Sequence, residues 1–199
     1  GEVHLRLTAK AASEAEAFQL IVPVEEELKK RFGNLIYTDD PTVTLEMAVY
    51  ELLKAHNLTV TTAESCTGGL LAGRLINVPG ISTYLKEGYV TYSNEAKEKL
   101  LGVPAEILRQ HGAVSPQTAE AMAEGGAKAA GADICVAVTG IAGPDGGTED
   151  KPVGLVYMSC YCRGKLHTEK NQYSGSRSKI REYSVASALT LLRRAILEH

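Results

Sequence analysis

The 199-residue sequence has no tryptophan, two phenylalanines and four cysteines that form no CxxC pair. The missing tryptophan decides nothing. The missing CxxC spacing speaks against a structural zinc site. Cys66, Cys135, Cys160 and Cys162 read as reduced thiols, as in a cytoplasm. No apolar run approaches the roughly 20 residues of a membrane span. The first residues, Gly1 to Leu7, mix charge with apolar side chains, unlike a secretory leader. The expectation is a cytoplasmic protein without membrane contact. A large charge of one sign is missing too. The formal net charge of -3 gives no general attraction for nucleic acid. What is present is ordinary globular material, 44% hydrophobic and 23% charged. That suffices for one sizeable α/β domain plus a small appendage.

Residues 1–40 read as a β-α-β appendage. Val3 to Leu7 alternates, Ser13 caps a helix running to about Arg31, and Asn34 to Tyr37 reads as a short strand. From residue 41 onward, strands alternate with helices. Leu45, Val49, Leu52 and Leu53 share a helical face. Leu58 to Ala63 is a strand, Glu64 to Gly69 a tight turn, and Leu70 to Ile76 a helix. Gly88 to Tyr92 is the next strand, with Ser93-Asn94 capping the helix that holds Lys97. Ser115-Pro116 opens another helix. Ile134 to Thr139 is a strand buried on both faces. Val153–Cys162 and Leu166–Tyr173 form an antiparallel pair, and a last helix runs from Ser176 to Glu198. The predicted fold is a three-layer α/β/α sandwich on a mixed, mostly parallel sheet.

Ser65 sits between a strand and a helix, where its hydroxyl can stand at the top of a sheet. The amides of Cys66, Thr67, Gly68 and Gly69 would begin the helix and favour a phosphate or a developing oxyanion. The same pattern also suits a plain helix cap. It is not the G-x-S-x-G elbow, because Ala63 stands where the first glycine would be. Cys66 is the rival nucleophile. A serine nucleophile needs a base. The five histidines lie near ends or turns, which leaves Lys97 and Tyr92. Both could reach Ser65 if strands 58–63 and 88–92 are neighbours. Lys97 would serve only if desolvation or nearby cations lower its pKa; otherwise it is an ordinary exposed helix lysine. The loop from Thr139 through Gly140 and Gly143 follows a buried strand, a usual place for a pocket wall. Arg177 and Arg181 are four apart, so they either grip a phosphate or line a solvated face.

Taken together, TTAESCTGG (61–69), GYVTYSNEAK (88–97), HGAVS (111–115), VTGIAGPDGGTEDKPVG (138–154) and the SGSR…R segment (174–181) resemble the C-terminal domain of the CinA family. That domain resembles the stand-alone nicotinamide-nucleotide amidases, and the likeness runs from about Thr42 to the C-terminus. Residues 1–40 resemble part of the KH-type linker of full-length CinA proteins, but contain no G-x-x-G clamp for RNA. The resemblance implies hydrolysis of nicotinamide mononucleotide to nicotinate mononucleotide and ammonia, without metal or other cofactor. It implies Ser65 as nucleophile, with Tyr92, Asn94 and Lys97 in the YSNxxK motif. The 66–69 amides would lie around the reacting carbonyl or the phosphate. Thr139, Gly140 and Gly143 would border the nucleotide, Arg177 and Arg181 would bind phosphate, and a homodimer is expected. Two other readings stay open: a non-catalytic pyridine-nucleotide-binding module of a multidomain protein, and an interaction protein of DNA uptake that no residue supports.

Overall fold

A computed structural model describes residues 2–199, which fall into two compact units, 2–43 and 44–199. In the first, Ser13 Oγ accepts the Glu16 amide and starts helix α1 (Glu14–Phe32). Gly33, at φ 48°, ends it, and Gly33–Leu35 is a 3-10 turn. The two expected strands are absent. Residues 3–7 are irregular, and residues 34–35 lie in the 3-10 turn. A strand needs a neighbour to take its amides, and among the described residues neither run joins the sheet. Helix α1 forms as the sequence predicts, yet it buries none of its residues.

The second unit holds α2 (Leu45–His56), β1 (Val60–Glu64), α3 (Leu70–Ile76), β2 (Leu85–Val90), α4 (Asn94–Leu101), α5 (Ala105–His111), α6 (Pro116–Ala130), β3 (Ile134–Gly140), β4 (Leu155–Cys162), β5 (Lys165–Gln172) and α7 (Arg177–Leu197). Helix starts follow side-chain caps. Ser93 Oγ accepts the Ala96 amide, Ser115 Oγ that of Thr118, and Ser176 Oγ that of Lys179. The sheet order is β2-β1-β3-β4-β5. β1 runs parallel to β2 and β3, while β4 is antiparallel to both β3 and β5. Four of the five strands therefore point one way, although the pairings divide evenly between parallel and antiparallel. β2 begins earlier than the glycine-led run suggests. It ends at Val90 because the chain leaves the sheet after the Thr91 amide bonds Glu64 O.

Helix α6 covers one face of the sheet, with α4 and α5 against it; α7 covers the other, with α2 and α3. The central strands are buried: all of β1, and β3 as far as Thr139. Two adjacent glycines let α6 approach closely. A Cβ on Gly125 would collide with Leu101 O, at the end of α4, and one on Gly126 would meet Cys135 Sγ at 2.5 Å. Among the described residues no helix is long and apolar enough to cross a membrane.

Candidate active site

The chain leaves β1 for β2 on one side and then crosses to β3 on the other. The carboxyl ends of β1 and β3 thus flank the point where strand order reverses, where open α/β sheets form a crevice. Ser65 is the first residue past β1. Its amide still bonds Val138 O of β3 at 2.9 Å, and its carbonyl accepts the Gly68 amide at 3.1 Å. Gly68 and Gly69, at φ 59° and 91°, take the left-handed turn that other residues resist. The Ser65 side chain is held at the sheet end with the residue only 9% exposed.

Lys97 meets it there. Parallel pairing of β1 with β2 sets the start of α4 beside the end of β1, and Lys97 Nζ lies 3.2 Å from Ser65 Oγ. The lysine is 1% exposed. Its other partners are carbonyls: Thr91 O at 2.8 Å, Tyr92 O at 3.4 Å and Ser93 O at 3.5 Å. Burial pulls its pKa below the ordinary lysine value, against smaller opposing effects from Cys66 and Glu95. Lys97 Nζ donates to Ser65 Oγ as it does to the carbonyls; once it loses a proton, two N–H groups remain for the carbonyls and the lone pair becomes available to the Ser65 hydroxyl. The exposed-helix alternative for Lys97 does not describe this molecule. Cys66 behaves oppositely: burial pushes its thiol up to about 11, so at neutral pH it is a thiol and a poor nucleophile.

The polar groups of the turn are largely spoken for. Glu64, 1% exposed, accepts the Gly69 and Leu71 amides on Oε2, both at 3.0 Å, and the Ala72 amide on Oε1 at 2.9 Å. The Gly68 amide goes to Ser65 O. Gly68 and Gly69 are therefore not the anion donors that the sequence suggests; an internal carboxylate and a turn bond have taken them. On the other side, Arg181 donates from Nε to Cys66 O at 3.0 Å and from Nη2 to Thr67 O at 2.9 Å. Arg181 braces the turn with bonds that a phosphate ligand would have to displace. Among the described residues the Cys66 amide bonds only its own thiol, and the Thr67 amide and Oγ1, which find no partner there, belong to a fully buried residue. The Cys66 amide is the donor left beside Ser65.

The remaining predicted residues are more dispersed. The Tyr92 ring is exposed, and its hydroxyl accepts from Arg177 Nη2 at 3.0 Å, so only its backbone carbonyl joins the Ser65–Lys97 group. Arg177 Nη1 also donates to Gly143 O at 2.7 Å, fastening the loop after β3. That loop is held again where Lys151 Nζ donates to His111 O at 2.7 Å. Thr139 is buried and donates to Ala113 O at 2.7 Å. Gly140 has no room for a side chain, since a Cβ would lie 2.7 Å from Val156 Cγ2. Asn94 is exposed in the first turn of α4. Glu64 and Thr91 were not foreseen as site residues; a carboxylate ending an all-buried strand was the one available signal. Among the described residues no group of three or more His, Cys, Asp or Glu side chains is placed to hold a metal ion.

With this geometry in hand, comparison with known proteins decides the family. The model of the CinA C-terminal domain matches residues 42–196, and that of the damage-inducible protein CinA KH domain matches residues 1–38. The chain belongs to the CinA family. It is 52% identical over 98% of its length to a competence-damage inducible protein of Clostridium novyi, of which it spans 47%. It is 50% identical over 99% of its length to a CinA-like protein of Dictyoglomus thermophilum, spanning 48% of that protein. The chain thus covers about half the length of these curated CinA relatives. A crystal structure of a competence/damage inducible protein from Agrobacterium tumefaciens superposes with a TM-score of 0.74 at 44% identity. That match covers 76% of this chain and 93% of the other. The α/β/α architecture is thus that of the CinA C-terminal domain.

Proposed function

We propose that residues 44–199 form a serine amidohydrolase that converts nicotinamide mononucleotide and water into nicotinate mononucleotide and ammonia. The observation that carries the reading is the buried pair of Lys97 Nζ and Ser65 Oγ, 3.2 Å apart at the end of a central strand. Neutral Lys97 takes the hydroxyl proton as Ser65 Oγ bonds to the carboxamide carbon. The Cys66 amide, held only by its own thiol among the described residues, is the donor this reading assigns to the negative charge that builds on the carbonyl oxygen. One such donor contributes about 3–4 kcal/mol to the transition state. The protonated lysine returns its proton to the departing nitrogen, which leaves as ammonia. Water then adds to the acyl-enzyme, again giving a proton to Lys97, and nicotinate mononucleotide is released as Ser65 regains its hydrogen. The fixed positive charge of the pyridinium makes the carbonyl more electrophilic, which suits a single lysine base.

The substrate assignment rests on the resemblance to nicotinamide-nucleotide amidases. Four buried free thiols suit the reducing cytoplasm in which this reading places the chain. The test is ammonia release from nicotinamide mononucleotide by the purified chain, with Ser65→Ala alongside. Release by the unsubstituted chain alone is expected. Equal release by Ser65→Ala would remove the serine mechanism.

A further inference from the structure

A polar group inside a protein is costly unless hydrogen-bonded or paired, and the buried carboxyl group of Glu64 has no cation partner among the described residues. Neither carboxylate oxygen lies in an ion pair among the described residues. Instead the carboxylate reaches over the turn that follows it and accepts three backbone amides, those of Gly69, Leu71 and Ala72, with Thr62 Oγ1 donating at 3.3 Å. The residue immediately before Ser65 is thereby tied to residues on the far side of the turn. Arg181 holds the carbonyls of Cys66 and Thr67 from the opposite side. An acid takes the amides on one side, a base takes the carbonyls on the other, and Ser65 lies between them.

We propose that Glu64 is the positioning residue of this turn: by consuming the amides that open α3, it fixes Ser65 Oγ against Lys97 and leaves the Cys66 amide as the donor beside it. This rests on the serine-hydrolase reading above. Glu64 is 1% exposed and has no hydrogen bond to Lys97 among the described residues, so it acts through the backbone. It also follows that α3 has no free amides for the substrate phosphate, which must be met elsewhere.

Glu64→Gln keeps the shape but turns an NH2 group towards at least one amide, so the turn must shift. A displacement of about 1 Å near a reacting atom lowers rate by about 100-fold. The expected result for Glu64→Gln is therefore a fall of about 10–100-fold in kcat for ammonia release, with KM within about two-fold. The acid limb of the pH profile keeps its midpoint, because Lys97 retains its surroundings. A second readout does not need the natural substrate. A fluorophosphonate probe bonds Ser65 Oγ to phosphorus, expels fluoride and passes the serine proton to Lys97. Its labelling rate should fall in parallel with kcat, with Ser65→Ala unlabelled. Glu64→Asp keeps the charge with a shorter reach and should lie between.

Labelling of Glu64→Gln at the unsubstituted rate would overturn the proposal. So would loss of fold in both Glu64 variants, which would assign the carboxylate to stability alone. If the unsubstituted chain is labelled at Ser65 but releases no ammonia, the substrate assignment fails and the positioning role stands on the labelling rates. Absence of both labelling and release removes the serine mechanism and the positioning role with it.

Discussion

The two ends of β1 and β3 each carry a carboxylate that gathers backbone and hydroxyl donors, and they do so to different effect. At the amino end, Asp133 accepts the Thr59 amide at 2.9 Å, the Thr59 hydroxyl at 2.8 Å and Arg163 Nε at 3.2 Å. The Asp133 amide in turn bonds Thr59 Oγ1 at 3.0 Å. The knot is closed. Burial alone would push the Asp133 carboxyl up; the Thr59 and Arg163 hydrogen bonds outweigh it and hold the group below the usual range. At the carboxyl end, Glu64 and Arg181 also gather the turn, but among the described residues the Ser65 hydroxyl is held by Lys97 Nζ alone and the Cys66 amide by its own thiol alone. One end is finished and supports stability. The other is deliberately incomplete, and incompleteness is what a substrate can fill.

The sharpest way to break this contrast is at Ser65. Ser65→Ala should cut ammonia release by at least about 10^4-fold while leaving nucleotide affinity and Tm near those of the unsubstituted chain; isothermal titration with nicotinamide mononucleotide checks the affinity. Next comes Lys97→Met, which should lower kcat by about 10^2–10^4-fold without loss of fold. In the unsubstituted chain kcat/KM should rise with pH through a midpoint below 10.5, and Lys97→Met should flatten that limb. Stability follows the same proton. Between the lowered folded pKa and 10.5 the unfolded chain holds a proton that the folded chain has lost, so folding gains as pH rises. Below that window the full cost of the buried ammonium remains, and Lys97→Met should relieve it.

At the opposite end the effects should fall on stability alone. Asp133→Ala strips partners from Thr59 and Arg163 and should cost about 1–3 kcal/mol in urea melts, with kcat unchanged. Because its folded pKa is depressed, Asp133 contributes stability above pH 3.8 that is lost as pH falls through the lowered value. The smallest effect belongs to Cys66→Ala. Its thiol is protonated and only its backbone serves the site, so kcat should stay within about three-fold. A loss comparable to that of Ser65→Ala would make the thiol the nucleophile and erase the distinction drawn between neighbours.

Much of this was legible in the residue order. Ser93, Ser115 and Ser176 marked helix starts because a side-chain oxygen must meet the orphan amides wherever a helix begins. The unbroken apolar run at 134–139 announced a central strand. The appendage strands misled because alternation describes a face, whereas a strand also requires an edge to pair with. Short α5, lying between Pro104 and Gly112, gave no periodicity long enough to read. At the site, Ser65 and Lys97 could be named but joined only on the condition that their strands are neighbours, since 32 residues separate them and the β1–β2 pairing closes the gap. Arg177 and Arg181 looked free because sequence does not show carbonyls. Their guanidinium groups are spent on Gly143, Tyr92, Cys66 and Thr67.

The two glycines of α6 set a distance that the chemistry inherits. Helix α6 rests on α4 at Leu101 and on the sheet at Cys135, in each case where a single carbon would intervene. Lys97 rides on that same α4, four residues before Leu101. The depth of the base beneath the surface, and with it the dryness that withholds its proton, is thus gauged by two atoms that are not there. Seen this way, the outer layer works as a spacer of fixed thickness, and the reach of one amine is calibrated one helical turn away, at the end of the helix that carries it.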